Sequence, residues 1–153
     1  MNKKILGIGN AIVDVLAKVD DDFLSKNNQD ALLDILNKTM LDMGQLCDGI
    51  YMLREVTPRA KDKMASYGEY LSSIIIATAI KETHLDNEWI DARTLITTNS
   101  AFGFAQVDFE KTNQQVNDYF KNHQHKLFIL PGFIASDSNG ITTTLGRGGS
   151  DYT

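Results

Sequence analysis

From about Asp30 to Leu53 the apolar residues recur at helical spacing: Leu32, Leu33, Leu36, Met40, Met43, Cys47 and Ile50. This pattern predicts a long helix, with a weak point at Gly44 and Gly49. Thr57-Pro58 predicts the next helix start, a capping hydroxyl followed by proline at the first helical position. That helix runs through Met64, Leu71, Ile75 and Ala79 to about Thr83. EWIDARTLI, Glu88 to Ile96, reads as a strand, Thr97 to Phe104 as a loop, Gln106 to Phe109 as a short strand and Glu110 to Asn122 as a third helix. KLFIL, Lys126 to Leu130, is continuously apolar, as a strand covered on both faces would be. Pro131-Gly132 ends it, DSNG (Asp137 to Gly140) turns the chain, and ITTTL is a further short strand.

The opening, Lys4 to Val19, is apolar with partial alternation and reads as β-rich. An acidic patch, Asp20 to Asp22, and the polar run Ser25 to Asp30 follow it. Nothing in that polar run is cheap to bury, which makes it the best junction in the chain. Strands separated by helical crossovers imply an α/β layer fold. With 153 residues, 42% hydrophobic and 23% charged, the composition is that of a soluble globular domain. A net charge of −5 argues against a nucleic-acid partner, and no apolar run is long enough to span a membrane. The single cysteine, Cys47, excludes an internal disulfide and suits a reducing cytoplasm.

The densest chemistry is LGRGGSDYT, Leu145 to Thr153. Gly146, Gly148 and Gly149 supply flexible backbone whose N–H groups can converge on an anion. Arg147 adds a planar fork suited to a carboxylate or phosphate, and Ser150 and Asp151 suit the cap of a following helix. The spacing is not that of a Walker P-loop, and a plain glycine-rich connection has the same composition. Glu69 lies in SYGEYLSS, within the second predicted helix, where the preceding Gly68 permits close approach of a ligand or another backbone. A solvated helical glutamate is the simpler reading of Glu69. His123 and His125 lack the further ligands a metal site needs, so no metal is expected, His84 is expected in solvent, and Trp89 is expected in the core.

Three stretches carry a resemblance: LREVTPRAKDKMASYGEYLSS, WIDARTLITTNSAFGFAQVDFEKTN and LFILPGFIASDSNGITTTLGRGGSDYT. In order and spacing they resemble aspartate kinase, of the amino-acid kinase family, from roughly Leu32 to Thr153. The resemblance implies a three-layer α/β fold, a sheet with helices on both faces, here incomplete. It implies ATP-dependent phosphorylation of the β-carboxylate of L-aspartate, with ATP and Mg2+ as co-reactants. It places Arg147 and Ser150 on the amino acid, Glu69 on its ammonium group, Gly146, Gly148 and Gly149 in the phosphate loop, and Asp151 at the catalytic centre. Two carboxylates and one ammonium on the substrate call for an arginine fork and one acidic partner, which agrees with that assignment. L-aspartate and ATP are thus the expected partners, a homo-oligomer is possible, and a cytoplasmic location fits.

The start departs from that family, which opens with a KFGG-type lysine motif. Instead KILGIGNAIVDVLAKVDDDFL, Lys4 to Leu24, resembles the opening of a ribokinase-like, PfkB-type sugar or nucleoside kinase, in which Asn10 and Asp14 would lie near sugar hydroxyls. The chain is therefore expected to divide into a PfkB-like segment, 1–26, and a partial aspartate kinase catalytic domain, 27–153, lacking the nucleotide-binding half. Three readings stay open: an aspartate kinase segment, incomplete or inactive alone; a non-catalytic amino-acid-binding or assembly module; and a sugar-kinase fragment.

Overall fold

The computed structural model describes residues 29–123 and 127–146. Helix α1, Gln29–Leu53, is continuous, and Gly44 and Gly49 do not break it. Intrahelical hydrogen bonding tolerates an isolated glycine at a cost of about 1 kcal/mol, and the helix absorbs both. The predicted apolar positions divide between two sides. Leu32 and Thr39 are buried and Leu36, Met43, Leu46 and Ile50 half-buried, a stripe with alternating steps of four and three, whereas Leu33, Met40 and Cys47 are exposed. Arg54 closes the helix in the left-handed region at φ 55°, its N–H returning to the Ile50 carbonyl.

Helix α2, Pro58–Glu82, starts where Thr57-Pro58 predicts. The Thr57 hydroxyl accepts the Ala60 N–H at 3.1 Å and proline takes the first turn, where its missing N–H is not needed. The inner face of α2 is unusually polar: Asp62, Ser66 and Ser73 are buried alongside Tyr67, Ile74 and Ala77. Ser66 and Ser73 satisfy their hydroxyls locally on the Lys63 and Tyr70 carbonyls. Asp62 has no such local partner and reaches across to another part of the chain.

The region read as one strand over 88–96 divides in two. Strand β1 is only Glu88–Trp89, and a 3-10 turn, Ala92–Thr94, follows, because the Asp91 side chain caps the Arg93 N–H at 3.1 Å and bends the backbone. The start of the expected loop is in fact strand β2, Thr97–Thr98. The expected strand at 106–109 reduces to a single antiparallel bridge from Val107 to Thr98. Asp108 ends it by capping α3, Phe109–Asn122, accepting the Lys111 N–H at 3.1 Å. Strand β3 is Phe128–Ile129, both buried as the apolar run predicts. A further strand, β4, Ile134–Asp137, was not legible in the sequence, and it pairs with β5, Thr142–Thr144.

Strands β1 and β3 pair in parallel, as do β2 and β4, while β4 and β5 form an antiparallel hairpin. The hairpin turns through Ser138, Asn139 and Gly140, with Gly140 at φ 73°, a conformation that favours glycine. Ile90, Ala92, Leu95, Ile96, Phe128, Ile134, Ala135 and Leu145 form the core, flanked by Tyr70, Val116, Phe120 and Phe133. Helix α2 packs on β5, β1 and β4, and α3 on β2. Trp89 is half-buried rather than fully core: its indole N–H donates to the Ser73 hydroxyl at 2.9 Å and its ring meets Tyr70 edge-on at 5.3 Å. His84 is exposed, as expected.

Candidate functional site

Strand β5 leads directly into Leu145 and Gly146, the first glycine of the glycine-rich run, and three separate elements fix its end. The carbonyl of Thr144 accepts the Ala105 N–H at 3.0 Å, and the Leu145 N–H donates to the Phe133 carbonyl at 2.9 Å. The Thr144 N–H and hydroxyl both donate to the Asp62 carboxylate of α2, at 2.9 and 2.8 Å. Asp62, only 3% exposed, also accepts the Gly103 N–H at 2.9 Å. One buried carboxylate thus joins a helix, a loop and the strand that enters the glycine run. A buried carboxylate is tolerated where several donors replace its hydration, as these three do.

The loop 99–105 is anchored at several points. Asn99 accepts the N–H groups of Ala101 and Gln106 through its side-chain oxygen, at 3.2 and 3.0 Å. Ser100 donates to Asp137 at 2.8 Å. Asp137 is held below its ordinary carboxylate range by the Ile141 N–H above all, then by the Ser100 hydroxyl, with the Asn139 N–H adding to them. Gly103, at φ 89°, lets the backbone reverse. Its neighbour Phe104 is 75% exposed, and its ring lies against Gly146, where an added Cβ would stand 2.5 Å from the ring Cδ1. Gly146 therefore meets its need for glycine through close packing.

Glu69 lies seven residues beyond Asp62, two turns along the same side of α2. It is half-buried, and no ion pair to it occurs among the described residues. Burial pushes its carboxyl above the ordinary value. Arg93 is already committed: it grips Asp91 in a forked pair, with Nη2 at 2.6 Å, and its guanidinium lies 4.7 Å from the Tyr70 ring centre. His123 stacks on Tyr119 at 3.8 Å, and burial above all, then the hydrogen bond that the Tyr119 hydroxyl donates to Glu88 at 2.6 Å, raises the phenol to about 12. No group of three or more metal-ligating side chains occurs among the described residues.

Of the residues singled out in the sequence, Glu69 and Gly146 are thus described, whereas Arg147, Gly148, Gly149, Ser150 and Asp151 lie outside the described residues. So do Asn10, Asp14 and His125. Sequence reasoning missed Asp62 and Asp137. The available signals were an aspartate at a seven-residue interval before Glu69 and an Asp-Ser-Asn-Gly turn, neither distinctive alone. Two cavities among the described residues lie elsewhere. One of about 580 Å3 is bounded by Arg59, Lys63 and Asn139, and another of about 400 Å3 by Asn99, Lys111 and Ser138. The first is lined also by Gly140, Ile141 and Thr142 and the second by Thr97 and Thr98, and neither is lined by Glu69 or Gly146.

The model of the amino acid kinase family matches residues 2–153. That span includes the opening stretch, so the sugar-kinase resemblance of Lys4 to Leu24 finds no support there. The chain is 33% identical to lysine-sensitive aspartokinase 3 of Escherichia coli over 84% of its own length and 30% of the relative's. It is 29% identical to bifunctional aspartokinase/homoserine dehydrogenase 1 of Arabidopsis thaliana, over 86% of its own length and 14% of that protein's. The chain therefore spans less than a third of these relatives. Among solved structures it is similar to E. coli aspartokinase III in complex with lysine and aspartate, with TM-score 0.72 and 28% identity over 82% of this chain and 28% of that one. The same enzyme in complex with aspartate and ADP gives 0.69 and 29%, over 80% of this chain and 27% of that one.

Proposed function

The chain belongs to the amino acid kinase family and has its α/β fold, and on that premise we propose that it carries the amino-acid-binding part of an aspartate kinase. The reaction is attack of a β-carboxylate oxygen of L-aspartate on the γ-phosphorus of ATP. A carboxyl–phosphate bond forms and ADP leaves with the electrons of the broken bond. Arg147 and Ser150 take the α-carboxylate, Glu69 takes the ammonium group, and the backbone of Gly146, Gly148 and Gly149 receives the phosphoryl oxygens. Asp151 organises the centre around the transferred group. ATP supplies the phosphoryl, and Mg2+ would neutralise its charge.

The observation that carries this reading is the likeness to aspartokinase III, a protein whose structures hold aspartate and ADP. Two features of this chain support it. The glycine run follows directly on an anchored strand end, and Glu69 is a half-buried carboxylate without an ion-pair partner among the described residues. Desolvated yet unpaired, it suits a cationic ligand group.

Isothermal titration of the protein with L-aspartate, with and without Mg-ATP, tests the proposal, with Arg147→Ala as control. Binding that disappears in the variant supports it, and aspartyl phosphate formation would extend it to catalysis. Aspartate binding without turnover would support a binding module instead. No heat from aspartate in the unaltered protein would overturn the reading.

A further inference from the structure

We propose that Asp62 is a positioning residue for the glycine-rich loop. The inference rests on the aspartate-binding reading above for its functional half and on geometry alone for its structural half.

Three donors converge on this one side chain: the Gly103 and Thr144 N–H groups on Oδ2, both at 2.9 Å, and the Thr144 hydroxyl on Oδ1, at 2.8 Å. Two of them belong to the residue two places before Gly146. The third belongs to the residue preceding Phe104, whose ring packs on Gly146. The carboxylate therefore fixes the strand entering the glycine run and the backbone next to Phe104, whose ring lies against Gly146. Helix α2 also carries Glu69, two turns further along. Asp62 consequently ties the helix that carries the candidate ammonium partner to the strand end at Thr144 to Gly146. An apolar side chain at 62 would fill the space but leave the buried Thr144 N–H and the part-buried Gly103 N–H without this acceptor.

Asp62 touches no substrate in this scheme. It acts by orientation, and a misplacement of about 1 Å at such a site costs roughly a hundredfold in rate. Its loss should therefore weaken aspartate binding in a protein that remains folded. Asp62→Ala removes all three bonds. Asp62→Asn retains an acceptor for the two N–H groups, and the Thr144 hydroxyl can turn to accept from its amide, so the anchor survives in weaker, neutral form.

The experiment pairs aspartate titration of the protein and both variants with amide hydrogen exchange, after circular dichroism has established folding. We expect Asp62→Ala to weaken aspartate binding at least tenfold while Asp62→Asn stays within about threefold. Exchange at Gly103, Thr144, Leu145 and Gly146 should accelerate in the order unaltered, Asn, Ala, with α3 unchanged. Unaltered aspartate binding in folded Asp62→Ala would overturn the proposal. So would exchange at Leu145 and Gly146 that does not respond to either variant. If Asp62→Ala fails to fold, the Asn variant decides by the exchange criterion. If the unaltered protein binds no aspartate, the functional reading fails, and exchange at Leu145 and Gly146 judges the positioning role separately.

Discussion

The backbone N–H of Thr144 donates to the buried carboxylate of Asp62 across 2.9 Å, although 82 residues separate the two in sequence. The Thr144 hydroxyl donates to the other oxygen at 2.8 Å. Thr144→Val keeps the shape and the backbone bond but removes the hydroxyl bond. It should cost about 1–3 kcal/mol, because one carboxylate oxygen then loses a charge-assisted partner in the interior. In an Asp62→Asn background the same change should cost less. A double-mutant cycle by urea unfolding measures the difference, and simple additivity would contradict a direct coupling.

Gly146 meets the Phe104 ring, which a Cβ would approach to 2.5 Å. Gly146→Ala should destabilise by about 1 kcal/mol, less than a rigid core clash, because the exposed ring can swing aside. Adding Phe104→Ala should recover most of that loss. Thermal unfolding of the two single variants and the double variant checks this, and a double variant no better than Gly146→Ala would disprove the contact.

Glu69 has a carboxyl pKa raised above the ordinary 4.5 by burial. Folding therefore favours its protonated form, and the associated stability is present below 4.5 and lost as pH rises through the raised folded value. At pH 7 the ionised group is a small liability. Glu69→Gln should be as stable as the unaltered protein at pH 7, or slightly more so. Under the proposed function it should nevertheless bind aspartate roughly tenfold to a hundredfold more weakly, through loss of a charged hydrogen bond. A stability gain without a binding loss would leave Glu69 a solvated helical residue.

Asp137 behaves in the opposite sense. Hydrogen bonds from Ile141, Ser100 and Asn139 hold its carboxyl below the ordinary 3.8. Its stabilisation is present above 3.8 and lost as pH falls through the lowered folded value. The stability difference between the protein and Asp137→Asn should be constant near neutrality and shrink on acidification below about pH 4. Denaturant midpoints at a series of pH values measure it, and a gap that widens in acid would reverse the assignment.

Thr57 caps the helix that carries both Asp62 and Glu69. Thr57→Ala should cost about 1 kcal/mol, and Thr57→Ser should cost little, since serine caps equally well. Chemical denaturation distinguishes the two, and equal losses would place the effect elsewhere.

Much of the helical framework was legible from local chemistry. Thr57-Pro58 announced α2, and the apolar spacing announced α1 within a residue of its start. A helix closes its hydrogen bonds within four residues, so its signals lie in one short window. The glycine run and its arginine were equally plain, since their chemistry is a property of adjacent residues. Strand pairing was not, because each strand depends on a partner far along the chain. Thr97–Thr98 looks like loop until Ser136 and Asp137 pair with it, and Ile134–Asp137 looks like the tail of a turn until Thr142–Thr144 folds back on it. The sequence by itself thus determined where the helices lie, and its glycine run with Arg147 supplied the candidate anion site that the proposed function uses. Only the tertiary structure decided that Asp62, an unremarked helical aspartate, would be buried against Gly103 and Thr144. No local rule could assign it that role, because a carboxylate is stable in the interior only where the fold brings donors to it from distant segments.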